Sequence, residues 1–217
     1  MNYGEKIKAT VGTRVLEKKL RNRKRTVAVC TINEAQSIGI LYNATEYVSF
    51  EIIKELAKKL SQQNTAISIL GYVNSKKLID HYLYRKGFDF FSRNDLNWYY
   101  RPVSGVAEAF IGKPFDILID LSLEICYPIQ YIVALSPARF KVGRYSPGDN
   151  YLDMMIDTDK ENEQMKMLHE EIITQKKDDK DRRKDEMEKE IEKKTRTELQ
   201  LSFLINQIMH YLAILKK

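Results

Sequence analysis

The chain is poor in cysteine and histidine, and it lacks glycine where phosphate-binding loops need it. Each scarcity removes a class of function. Cys30 and Cys126 are the only cysteines in 217 residues. They form no CxxC pair, and two distant thiols do not make a disulfide framework, so a reducing cytoplasm is the expected compartment. The three histidines, His81, His169 and His210, have no partners at metal-ligand spacing, so no metal and no cofactor is expected. The first apolar run, followed as "ILYNATEYVSF", has no glycine past Gly39. That excludes a Walker loop and a dinucleotide fingerprint, whose backbones must approach phosphate closely. No nucleophile elbow and no Cys–His arrangement is visible, and no catalytic residue is assigned.

Long hydrophobic runs are also missing. No uninterrupted apolar stretch approaches the roughly 20 residues of a membrane span, so no membrane association is expected. The N-terminus has no apolar segment followed by a small-residue cleavage site, which argues against a secretory signal. A transit peptide is disfavoured by Glu5 and Glu17 and by the lack of serine there.

What is present is charge, and it is uneven. Residues 1–25 hold nine Lys or Arg against Glu5 and Glu17, a local net of +7, while the whole chain carries +6. The body is therefore close to neutral and the N-terminal arm is basic. "EKKLRNRKR" places Lys18, Lys19, Arg21, Arg23, Lys24 and Arg25 on and just past an expected helix end. Cations there gain from the helix dipole, which is a structural explanation. The same cluster suits RNA phosphates, the ribosome or an acidic protein surface.

The apolar pattern outlines the elements. Ile7, Val11, Val15, Leu16 and Leu20 predict a helix over 4–24 with a narrow apolar stripe. "SIGILY" at 37–42 and "AISILGY" at 66–72 read as strands, with a helix between them carrying Ile52, Ile53, Leu56, Ala57 and Leu60. Thr45 or Ser49 is expected to cap that helix. "FDFF" at 88–91, 115–121, 139–143 and "YLDMMID" at 151–157 are further strands, with helices over 103–112 and 127–136. Strands alternating with helices, several apolar on consecutive residues, predict a mostly parallel sheet covered on both faces.

Residues 158–198 break this composition, with almost no apolar positions between Lys176 and Glu198. Such a stretch is a solvated helix or disorder. The pairs Asp185–Lys189, Glu190–Lys194 and Glu192–Arg196 each favour helix by roughly 0.2–0.5 kcal/mol. Leu201, Leu204, Ile205, Ile208, Leu212 and Leu215 then form the face of a closing helix over 199–217. The expected organisation is a basic helix at 1–25, an α/β domain at 26–157, a charged insertion at 158–198 and that closing helix.

Two places could carry binding. Ligands of open α/β sheets sit at the carboxyl ends of the strands, which would gather Asn43, Thr45, Glu46, Asp120 and Glu124 into a polar cleft. The alternative role of these residues is capping and turn bonding. "DLNWYYRP" collects Trp98, Tyr99, Tyr100 and Arg101; Trp98 and Arg101 could stack bases or anchor a protein partner. The alternative is a loop pinned by its own aromatic side chains. Cys126 reads as a buried small residue.

"NWYYRPVSG", "PFDILIDLS", "YIVALSPARFKVGRYS" and "MMID" resemble an uncharacterised bacterial family of domains of unknown function, over most of residues 1–157 and the closing helix. Relative to that pattern the charged stretch is an insertion. A more distant resemblance is to the N-terminal half of heptosyltransferase-type glycosyltransferases, which have two Rossmann-like domains. Asp120, Ala138 and Gly143 match its strand-end aspartate, small-residue turn and strand-end glycine. That resemblance implies an acidic catalytic residue after the first strand, where only Glu46 of "NATE" could stand in. It also places the nucleotide-sugar site in a second domain, for which this chain has no room.

The expectation is thus a single Rossmann-like α/β domain with a basic N-terminal helix and a charged helical insertion. Its expected role is a non-catalytic binding or interaction protein, contacting RNA or the ribosome through the arm. The alternatives are a glycosyltransferase-like enzyme or half-enzyme and a small-ligand sensor.

Overall fold

The computed structural model describes residues 3–21, 23–76, 87–148, 151–158 and 182–215, the side chains of 182–190 excepted. In chain order the elements are α1 (Tyr3–Leu20), β1 (Ser37–Asn43), α2 (Tyr47–Ser61), β2 (Ala66–Val73), β3 (Phe88–Ser92), α3 (Gly105–Ile111), β4 (Ile117–Asp120), α4 (Tyr127–Leu135), β5 (Phe140–Arg144), β6 (Met154–Ile156) and α5 (Arg182–Ile214).

The six strands form one sheet in the order β3-β2-β1-β4-β5-β6, and every neighbouring pair is parallel. This is the Rossmann strand order, with the chain reversing direction across the sheet between β1 and β4. The α/β class read from the sequence therefore holds. Leu41 of β1 lies beside Leu70 and Asp120, and Asp120 in turn lies beside Gly143. That row marks the carboxyl end of the central strands.

Both faces are covered, which is why the central strands are apolar at consecutive positions. On one face α2 and α5 pack together over Ile38, Ile40, Ile69, Ile117, Ile119 and Val142. Phe50, Ile53, Leu56 and Leu60 of α2 and Leu201, Leu204, Ile205, Ile208 and Leu212 of α5 are buried there. Each such side chain stabilises the fold by about 1.5–3 kcal/mol. On the opposite face α3 and α4 cover Leu41, Leu70, Phe91 and Leu118.

Helix α4 explains where α1 goes. Pro128, Ile129 and Tyr131 through Leu135 are all buried, so α4 is apolar on nearly every side. A helix of that kind needs a second cover besides the sheet. α1 supplies it, with Leu16 packed on Tyr131, Ala134 and Leu135. The expected stripe of α1 holds at Leu16 and Leu20 and is corrected at Ile7. Its buried residues are Ala9, Gly12 and Leu16, and Ile7 is 47% exposed. Ala9 and Gly12 join Leu16 on the body side because the two surfaces approach closely at Gly12.

Capping is corrected as well. Glu46 precedes α2 and its side chain makes no cap bond. Thr45 Oγ1 instead accepts from Asn74 N at 2.9 Å, tying the turn after β1 to the turn after β2. Ser49 is buried, and its backbone N–H donates to Glu46 O at 3.1 Å. Helix α5 begins at Arg182 and runs unbroken into the apolar face at Leu201. The earlier part of the charged stretch, 159–181, lies outside the described residues, as do His81 and His169.

Candidate functional site

The first place to test is the carboxyl edge of the sheet. Asn43 ends β1, and its Oδ1 accepts from Thr45 N at 3.0 Å. These two residues build the turn that leads toward α2. Glu46 faces away from them and pairs with Lys193 on α5. Asp120 ends β4, and its Oδ1 accepts from Ser122 N at 3.0 Å. Asp120 and Glu124 do come together, lining one small cavity with Ser122, Cys126, Arg144 and Tyr151. The five cleft candidates are therefore split: a turn pair, a helix–helix ion pair and a cavity pair.

That cavity has a volume of about 30 Å³. This is room for a water molecule, and small-molecule sites use roughly 300 Å³ or more. Burial pushes the Asp120 carboxyl up to about 6, against the opposing pull of the Ser122 donors. Burial likewise pushes the Cys126 thiol up to about 12.

The second place is the loop before α3. Asn97 Oδ1 accepts from Tyr99 N at 3.2 Å and Arg101 N at 2.9 Å, which closes the turn from within. Tyr100, at φ 67°, sits in the left-handed region, and its ring stacks on Tyr127 at 6.4 Å between centroids. Arg101 lies 3.8 Å from Glu108. Trp98 is 60% exposed and packs edge-on to Tyr99. The loop is pinned by its tyrosines, and Trp98 projects from it.

The third place is the basic end of the chain. Ala9, Gly12 and Leu16 face the body at helical spacing, while Arg14, Lys18 and Arg21 are exposed at the same spacing on the far side. Lys6 and Lys8 are also exposed, on opposite flanks of the helix nearer its amino end, and Lys19 is half-buried. The residues just past the helix behave differently. Arg23 donates to the carbonyl of Leu135 at the end of α4. Arg25 donates to Ala138 O at 2.8 Å and grips Asp153 with both guanidinium nitrogens, one of them at 2.8 Å. Ala28 N continues the strap, donating to Arg139 O at 3.0 Å. So the basic cluster is divided between a solvent-facing helix surface and a strap bound to the domain.

Beside the strap runs a groove of about 580 Å³. Its walls carry Arg23, Lys24, Arg25, Arg139 and Lys141, and Asp153 is the one carboxylate among its lining residues. Lys141 is the least expected member, being 2% exposed within β5. Its Nζ donates to Val133 O at 2.5 Å and Ala134 O at 3.4 Å, meeting the negative end of the α4 dipole. Burial, then Arg25 and Arg23, push its ammonium down to about 7, with Asp153 pulling the other way. Arg139 and Lys141 were not among the sequence candidates. The available signal was a lysine inside the apolar run "FKVG", a residue type seldom buried without partners.

Among the described residues no group of three or more His, Cys, Asp or Glu could hold a metal ion. No helix among them is long and apolar enough to cross a membrane.

Fold and site together define a Rossmann-like parallel α/β protein with a narrow strand-end cavity and a broad cationic end. The chain belongs to a family of unknown function, DUF6913, whose model matches residues 8–174. The match takes in the sheet and most of α1 and stops short of α5. No curated protein and no solved structure matches the chain.

Proposed function

We propose that the protein is a non-catalytic binding protein that engages RNA, free or within the ribosome, through the outer surface of α1. The observation that carries this reading is the division of that helix. Ala9, Gly12 and Leu16 are spent on docking, and Lys6, Lys8, Arg14, Lys18 and Arg21 are left in solvent on a helix packed against the body. Exposed cations around this helix, on a near-neutral domain, attract phosphate, and the affinity should come from direct contacts because screening limits reach to about 8 Å at physiological salt. Trp98 adds an exposed aromatic surface on the loop against which α1 docks, where the neighbouring Tyr99 carbonyl meets Gly12. The glycosyltransferase-like and small-ligand readings need room at the strand ends, and the water-sized cavity beside Asp120 favours neither.

The test is binding of a single-stranded RNA across a salt series. Wild type should bind at low salt, with the logarithm of affinity falling linearly against the logarithm of salt concentration. Replacing Lys6, Lys8, Arg14, Lys18 and Arg21 together with glutamine keeps helix propensity and removes charges that take no part in docking. Every phosphate that the variant no longer neutralises should reduce the slope by about 0.7. No binding by wild type, or equal binding by the variant, would sink the reading.

A further inference from the structure

We propose that the groove between the strap and β5 is a binding site for a terminal phosphate monoester, carried by the end of an RNA chain or by a free nucleotide. The inference rests on the RNA reading above and gives it a second, separate site.

Three features of the groove point to this chemistry. The first is concentration of charge. Arg23, Lys24, Arg25, Arg139 and Lys141 converge on one concavity, while Asp153 spends both carboxylate oxygens on Arg25 and the backbone N–H of Lys141. Arg139 pairs with Asp116 Oδ1 at 3.2 Å, while Asp116 Oδ2 accepts from Gln36 N, Ser37 N and Ser37 Oγ. The arginine and lysine side chains that line the groove outnumber the carboxylates that face them.

The second feature is depth. Lys141 forms the floor and is almost wholly buried, whereas Lys24 and Arg139 stand exposed at the rim. An unbroken sugar-phosphate chain lies along a surface and meets the rim. A terminal phosphate can enter end-on and reach the deep end of the groove, where Lys141 lies, as well. A monoester carries about −1.5 to −2 charge at neutral pH, more than a diester, and so gains more from a groove lined by arginine and lysine. The third feature is size and lining. About 580 Å³ lies within the range of single-ligand sites. Leu20, Ala134, Pro137, Tyr151 and Leu152 add apolar and aromatic surface to the lining, suited to a nucleoside.

Hydrogen bonds also tie the edges of the groove together. The amino end of β5, the carboxyl end of α4 and the strap are joined by Arg23 to Leu135 and Arg25 to Ala138. A ligand there finds donors already positioned, which reduces the ordering cost of binding.

The experiment compares one short single-stranded RNA with a 5′-phosphate and the same RNA with a 5′-hydroxyl, alongside adenosine monophosphate and adenosine. The phosphorylated RNA should bind about tenfold tighter or more than its hydroxyl counterpart, the gain of one or two charge-assisted hydrogen bonds. Lys24→Gln, a rim substitution away from the packed strap, should reduce that ratio several-fold. Lys24→Gln with Arg139→Gln should abolish it while circular dichroism and unfolding stay native-like. Adenosine monophosphate binding as tightly as the phosphorylated RNA, with adenosine silent, would make a free nucleotide the source of the phosphate. Phosphate-independent RNA binding would overturn the groove and leave the α1 surface standing. Mononucleotide binding without any RNA affinity would do the reverse. No discrimination by either pair overturns the groove outright.

Discussion

Gly12 of α1 lies directly against the backbone carbonyl of Tyr99: a Cβ placed on Gly12 would stand 2.6 Å from that oxygen. The obstacle is backbone and cannot rotate away. The turn that presents it is itself held by Asn97 Oδ1. Gly12→Ala should therefore lift α1 from the body, destabilising the protein by about 1–3 kcal/mol as overpacked sites do. Urea unfolding followed by Trp98 fluorescence measures the loss. A variant within about 0.5 kcal/mol of wild type, the scatter of ordinary surface changes, would mean that α1 does not dock along this line.

Asp120 gives a test of pH dependence. Its carboxyl titrates near 6 in the folded chain, above the ordinary 3.8, because burial disfavours the charge. The folded state thus holds the proton more tightly than the unfolded state between these values. Stability falls as pH rises through that window and stays low above it. Asp120→Asn cannot ionise and keeps an oxygen for Ser122 N. It should be more stable than wild type by about 1–3 kcal/mol at neutral pH, and the advantage should shrink near pH 4. Thermal melts at the two pH values decide it. A variant that is less stable at neutral pH would show that the carboxylate is needed in its charged form.

Lys141 has the opposite sign of titration and its own window. Its folded value of about 7 lies below the ordinary 10.5, so the unfolded chain binds more protons between the two. Stability conferred by leaving this amine neutral grows as pH rises from about 7 toward 10.5. Lys141→Met removes the titration, so the stability of wild type relative to the variant should climb over that range. Chemical denaturation at several pH values reads the slope. A flat difference would indicate that the ammonium is as comfortable in the fold as in water.

The thiols provide a check on the core. Cys30 and Cys126 are both buried, and the Cys126 thiol is held up near 12. The thiolate is the reactive form. A disulfide reagent at mildly alkaline pH should label neither cysteine rapidly in the folded protein and both after denaturation. Fast labelling of Cys126 in the native state would show that the cavity beside Asp120 opens to solvent.

The architecture was legible in the residues themselves. "SIGIL", "AISIL" and "ILID" are apolar on consecutive positions because both their sides are covered, and the alternation with helical periods implies parallel pairing. The closing helix was equally plain, since Leu201, Leu204, Ile205, Ile208 and Leu212 repeat at helical spacing and all are buried. These signals are local. They depend on which residues must leave water, and periodicity records that.

What the tertiary structure decided was which polar groups meet. Glu46, beside Asn43 and Thr45 in sequence, turns to Lys193 more than a hundred residues on. Arg25, in sequence one more cation of a basic arm, closes on Asp153. Lys141, hidden in an apolar strand, becomes the floor of the cationic groove only because α4 ends and the strap passes beside it. A charged side chain chooses its partner by distance after the chain has packed, and no sequence period encodes that distance. The apolar pattern of this chain sets its layers; the location of its charge is settled only when those layers come together.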